Sequence, residues 1–148
     1  MKVNVKKLHP DAKIPEYATD GAGCFDIRAL TDSPKTIYLG ESHAFRTGLA
    51  FEIPDSHVML IYSRSGQAFK HGTRLANCVA VIDADYRGEV KVKLTRDYET
   101  DTGALTVCDG DRIAQGMVIP VERVTFEQVE ELGATERGSG GFGSTGKA

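Results

Sequence analysis

Residues 77–93 read NCVAVIDADYRGEVKVK, and within them Asp83 falls where the apolar run 79–82 ends, with Tyr86 and Arg87 following within four positions. A carboxylate, a phenol ring and a guanidinium this close together suit a pocket wall that positions water and packs against a flat or sugar ring. They equally suit a solubilising turn, because Asp and Gly are common where a hairpin reverses. A second group, Ser63-Arg64-Ser65-Gly66, has phosphate-binding chemistry. Arg offers a planar fork of donors, Ser a hydroxyl, and Gly a backbone that an anion can approach closely. A short helix starting there would add its amino-terminal dipole; as an isolated fragment the group also reads as an exposed turn. In a third group, residues 110–115 (GDRIAQ), a turn enters an apolar strand that carries the polar Gln115. In a fourth, residues 17–27, Asp26 stands inside an apolar strand, where a carboxylate often anchors a loop through backbone amides.

Six of the 16 glycines lie in residues 133–148, where Phe142 is the one large aromatic side chain. Such a segment buries too little surface to order itself. It reads either as a loose terminus or as an arm that orders over a ligand, with Arg137 and Lys147 for charge, Ser139, Ser144 and Thr145 as hydroxyl donors, and Phe142 for stacking. Residues 141–147 spell GFGSTGK, but Ala148 stands where a phosphate-binding P-loop needs Ser or Thr, so that reading is rejected. The four His residues show no metal-ligand spacing.

The elements that must position these groups have period two. Val3 and Val5, then Leu49, Phe51 and Ile53, then Val90, Val92 and Leu94, then Leu105 and Val107 recur at every second position. Side chains two apart on a strand share a face, so each segment offers one apolar face to a core. The runs 58–62, 113–121 and 124–129 are rich in branched and aromatic residues, and turn signals separate them at 39–40, 53–55, 87–88, 102–103 and 109–110. The pattern predicts an all-β sandwich or barrel, with one short helix over 65–70 and a β-hairpin over 77–93.

A chain of 148 residues is one domain, and 41% hydrophobic with 26% charged residues marks it as folded rather than disordered. A formal charge of −3 disfavours general nucleic-acid binding, which needs a basic face. Cys24, Cys78 and Cys108 are odd in number without a CxxC pair, and read as reduced thiols. With no long apolar run and no apolar leader in MKVNVKKLHP, the expectation is a cytoplasmic protein without a membrane partner.

In chain order, GAGCFDIRA, SRSGQAFKHG, NCVAVIDADYRGEVKV, GDRIAQ and RGSGGFGSTG resemble the five signature motifs of the trimeric deoxyuridine triphosphatase (dUTPase) family, over about residues 10–146. The resemblance implies a jelly-roll-like β-barrel or sandwich of the β-clip type, with a core over 1–132 and a flexible Gly-rich arm over 133–148 that closes over the active site. It implies a homotrimer, each site assembled from three chains, and Mg²⁺ as cofactor. The implied reaction is hydrolysis of dUTP to dUMP and pyrophosphate, which limits uracil in DNA and supplies dUMP for thymidylate synthesis.

Carried over residue by residue, Asp83 matches the carboxylate holding the attacking water, and Asp26 a carboxylate near the metal-bound triphosphate, acting through water. Arg64, Ser65, Gly66 and Gln115 match phosphate contacts. Asn77, Val81, Ile82 and Lys91 match the wall that reads uracil, and Tyr86 matches the aromatic under deoxyribose. Arg137, Phe142, Gly143, Ser144 and Thr145 match the arm, with Phe142 stacking on the base. Attack on a phosphorus ringed by anionic oxygens needs positive charge, aimed water and exclusion of solvent, and this set supplies each. Two rivals share the expected fold: a dCTP deaminase, told apart by ammonia release, and a trimeric binding protein without catalysis.

Overall fold

An apolar side chain at every second position is buried only where its strand lies against a core. In the computed structural model, which describes residues 1–144, the alternating segments do so. The chain runs β1 (Asn4–Lys7), β2 (Glu16–Tyr17), β3 (Phe25–Arg28), β4 (Lys35–Ile37), β5 (Ser42–Arg46), β6 (Leu49–Glu52) and β7 (His57–Tyr62). The helix α1 (Ser65–His71) follows, then β8 (Thr73–Leu75), β9 (Val79–Ile82), β10 (Lys91–Arg96), β11 (Leu105–Val107) and β12 (Arg112–Pro120). All pairings are antiparallel. The largest sheet has the order β2-β3-β12-β7-β9, a second has β5-β10-β8, and β1-β6 and β4-β11 make two-stranded pairs. The expected jelly-roll-like β fold with one short helix therefore forms, as four sheets rather than one closed barrel.

One core joins the sheets. Ile27, Phe45, Phe51, Met59, Ile61, Val92, Leu94 and Ile113 are all buried in it. Burying each such side chain contributes about 1.5–3 kcal/mol. The register of β7 and β10 is therefore fixed: a one-residue slip would expose Met59 with Ile61, or Val92 with Leu94. Gly72 ends α1 in the left-handed region (φ 63°), its N–H reaching the Ala68 carbonyl at 3.0 Å. A Cβ there would collide with the Tyr98 carbonyl, so glycine is required.

Two expectations need correction. β9 and β10 do not pair as a hairpin. β9 pairs with β7, whereas both edges of β10 are taken by β5 and β8. The segment between them must therefore bridge two sheets, and a concavity opens where a hairpin ladder was expected. The run 124–129 forms no strand either: residues 121–144 carry neither strand nor helix, and Val124, Phe126, Val129 and Leu132 are exposed. Their composition is strand-like, but no sheet edge of this chain receives them.

Candidate active site

The concavity between β9 and β10 measures about 480 Å³ and is lined by Asn77, Ala80, Val81, Ile82, Asp83, Tyr86, Glu89, Val90 and Lys91. It gathers all six residues assigned from sequence to base, sugar and water. β9 is the last strand of its sheet, so among the described residues the backbone N–H and C=O groups on its outer edge have no ladder partner and can pair with a ligand. Asp83 is the first residue after β9, exposed, and its carboxylate has no hydrogen-bond or ion-pair partner among the described residues.

Tyr86 is set by its neighbours. Its hydroxyl donates to the Glu89 carbonyl at 3.1 Å, and its ring lies so close over residue 88 that a Cβ there would stand 2.6 Å from Cζ. Gly88 is thus the condition for the ring's position. The Glu89 carboxylate, 15% exposed, accepts from Arg46 Nε at 3.1 Å and from the Gly48 amide at 2.9 Å. That tie fastens the turn carrying Tyr86 to the core strands.

A second concavity, about 240 Å³, is lined by Ala18, Ala22, Cys24, Asp26, Arg64, Ser65, Gly66, Arg112 and Gln115. It collects every residue assigned to phosphate outside the arm. Ser65 and Gly66 open α1, where the amides have no partner within the helix. The Asp26 side chain, 14% exposed, lies between two guanidinium groups: Arg64 Nε stands 3.3 Å from Oδ1, and Arg112 Nη1 donates to Oδ2 at 3.1 Å. Gln115 Nε2 donates to the Ser63 carbonyl at 2.9 Å and so fixes the residue before Arg64.

Within one chain the two concavities stay apart. Met59 lies opposite Ile82, which puts Asp83 opposite Val58, six residues from Arg64 along β7 and its continuation. At about 3.3 Å per residue the separation is roughly 20 Å. The described arm residues join neither concavity. Arg137 Nε donates to Gly140 O at 2.8 Å, folding the segment on itself; Phe142, in the left-handed region at φ 51°, is fully exposed, and Gly143 and Ser144 continue the same turn. Thr145 lies outside the described residues. Glu89 and Arg112 were missed from sequence. Glu89 looks like a solubilising acid in a turn, and Arg112 like the polar flank of a strand.

The family model described as dUTPase matches residues 10–146. A deoxyuridine 5'-triphosphate nucleotidohydrolase of Nautilia profundicola is 46% identical over 99% of this chain and 100% of its own length. One of Janthinobacterium sp. is 43% identical over 98% and 97%. The solved dUTPase of Staphylococcus bacteriophage 80alpha with dUpNHpp superposes with a TM-score of 0.87 at 27% identity, covering 99% of each chain.

Proposed function

The chain belongs to the dUTPase family, and from that membership we propose that it hydrolyses dUTP to dUMP and pyrophosphate. The observation that carries the reading is the cavity between β9 and β10: an edge strand suited to a base, the Tyr86 ring suited to a sugar, and the uncommitted carboxylate of Asp83 at one wall. Uracil pairs with the free backbone edge of β9 as it would with a complementary base, and Asn77 and Lys91 close that wall. Tyr86 packs under deoxyribose and leaves no room for a 2′-hydroxyl. Asp83 holds a water against the innermost phosphorus and takes its proton as the new P–O bond forms. The bond from that phosphorus to the bridging oxygen breaks, and pyrophosphate leaves.

Attack by water on this phosphorus requires phosphate-binding cations near Asp83, and Arg64 of the same chain stands roughly 20 Å away. We therefore assign the site to more than one chain, and to the homotrimer that the dUTPase resemblance implies. One chain supplies Asp83 and Tyr86, a second supplies Arg64, Ser65, Gly66 and Gln115, and an arm brings Arg137, Phe142, Gly143, Ser144 and Thr145 over both. The exposed apolar residues of 121–132 support this assembly, because Val124, Phe126 and Leu132 need a neighbouring surface.

Among the described residues no three acidic, His or Cys side chains converge as a metal cage. Asp26 is the single carboxylate of the phosphate concavity. That donor set fits Mg²⁺ carried in by the triphosphate, which Asp26 would help hold through water. When bound, the ion would neutralise phosphate charge. Among the described residues no helix is long and apolar enough to cross a membrane. By analogy with the dUTPase family, we propose that the enzyme acts in the cytoplasm.

Pyrophosphate release from dUTP, dCTP, dTTP and UTP, run side by side, tests the reading. Release confined to dUTP is the expected result; a chain inert toward dUTP, or releasing ammonia from dCTP, overturns it. The relatives described above bear nucleotidohydrolase names, which does not favour the deaminase or the non-catalytic binding protein.

A further inference from the structure

We propose that Arg112 is a positioning residue of the phosphate subsite, which shares Asp26 with Arg64 and thereby loosens that carboxylate's hold on Arg64, so that Arg64 turns more readily to the triphosphate. The inference rests on the dUTPase reading and deepens it.

The backbone aims Arg112. Gln115 pairs with Asp26 and Ala114 with Ile27, but Arg112 pairs with Arg28, so Ile113 is an extra residue on β12. Directly opposed residues share a face, and Arg28 lies two positions from Asp26 on β3. The bulge therefore turns Arg112 onto the face that carries Asp26 and Gln115. In a regular strand Arg112 would point to the other face, toward the core. Bulges next to active sites commonly re-aim a side chain in this way, and the 3.1 Å bond from Arg112 Nη1 to Asp26 shows that this one does.

The bonds form a closed arrangement. Asp26 gives one oxygen to Arg64 and the other to Arg112. The Arg112 carbonyl in turn accepts from Arg64 Nη1 and from Gln67 Nε2, each at 3.1 Å. The main chain at 112 therefore orients the Arg64 fork, and the side chain at 112 competes with it for the one carboxylate. Two guanidinium groups against one carboxylate leave the concavity with a net positive charge. Without the Arg112 side chain, Asp26 would hold Arg64 with both oxygens, and a triphosphate would have to break a tighter pair than the one-oxygen contact seen here.

Calorimetric binding of dUpNHpp and dUMP, in metal-free buffer containing EDTA, tests the role without catalysis. Arg112→Ala is expected to weaken dUpNHpp by about tenfold or more, the loss of one charge-assisted contact, with dUMP changed by less than about twofold. Adding Asp26→Asn should recover most of the loss, because Arg64 is then released. Arg112→Lys should fall between, keeping the charge without the fork. The carbonyl at 112 is unaffected by these changes, so thermal melting should hold; if Arg112→Ala does not fold, Arg112→Gln and Arg112→Lys carry the same comparison. Wild-type affinity in Arg112→Ala, no recovery with Asp26→Asn, or equal weakening of dUMP each overturns the proposal. A wild-type chain that binds neither nucleotide overturns the dUTPase reading and the proposal with it.

Discussion

Replacing Gly88 with Ala separates function from stability at the sugar platform. The new Cβ would stand 2.6 Å from Tyr86 Cζ and closer still to its hydroxyl oxygen, against 3.4 Å or more for an ordinary contact, so the ring must move by about 1 Å. Tyr86 is partly exposed and free to swing, and the bond it gives up is the one from its hydroxyl to the Glu89 carbonyl. That bond is worth about 1 kcal/mol, and water replaces part of it. Melting should therefore fall by no more than about 2–4 °C. Activity is more sensitive, because a misplacement near 1 Å in a positioned group costs up to about a hundredfold. The expected result is kcat/KM for dUTP reduced about tenfold to a hundredfold, measured by pyrophosphate release. The same change made in a Tyr86→Ala background should have almost no further effect, since the ring it displaces is gone. A Gly88→Ala enzyme at wild-type rate, or a loss that simply adds to that of Tyr86→Ala, would refute the assignment of Gly88 as the residue that sets the ring.

Asp83→Asn should lower kcat by about 10²–10⁴-fold, the range for a positioned general base, while dUpNHpp affinity measured by calorimetry stays near wild type; undiminished turnover removes Asp83 from its role. Truncation before Arg137 should preserve the oligomer seen by light scattering and lose most activity, and a full-rate truncated enzyme removes the arm from catalysis. Phe142→Trp places a lone indole in a chain that has no Trp, and its emission should change on adding dUpNHpp; silence at saturating analogue contradicts stacking on the base. Phe126→Asp alters a side chain with almost no contacts within its own chain. It should lower the proposed trimer's melting temperature and shift the mass toward single chains, whereas an unchanged assembly excludes Phe126 from the interface.

The strands were legible because burial imposes a local rule. On β10, Val92 and Leu94 face inward while Lys91 and Lys93 face out, and a reader needs only neighbours two apart to see it. Strand pairing obeys no such rule. Val79–Ile82 and Lys91–Arg96 have the spacing of a hairpin, yet β9 joins β7, and β10 has both edges filled by strands from elsewhere in the chain. The candidate residues of 77–93 line one cavity despite that difference, since the cavity needs their proximity in sequence and not a ladder between them. The phosphate set was harder, because Asp26, Arg64 and Gln115 come from three separate segments and meet only through the β3-β12-β7 pairings. Arg112 was hidden for a sharper reason. Strict alternation sends residue 112 to the side opposite Gln115, and only the pair of adjacent buried residues, Ile113 and Ala114, betrays the bulge that reverses it. Two consecutive buried positions at the start of a half-buried strand are therefore a signal that the preceding polar residue has changed face. In this chain that change puts a guanidinium beside the carboxylate that would otherwise hold Arg64.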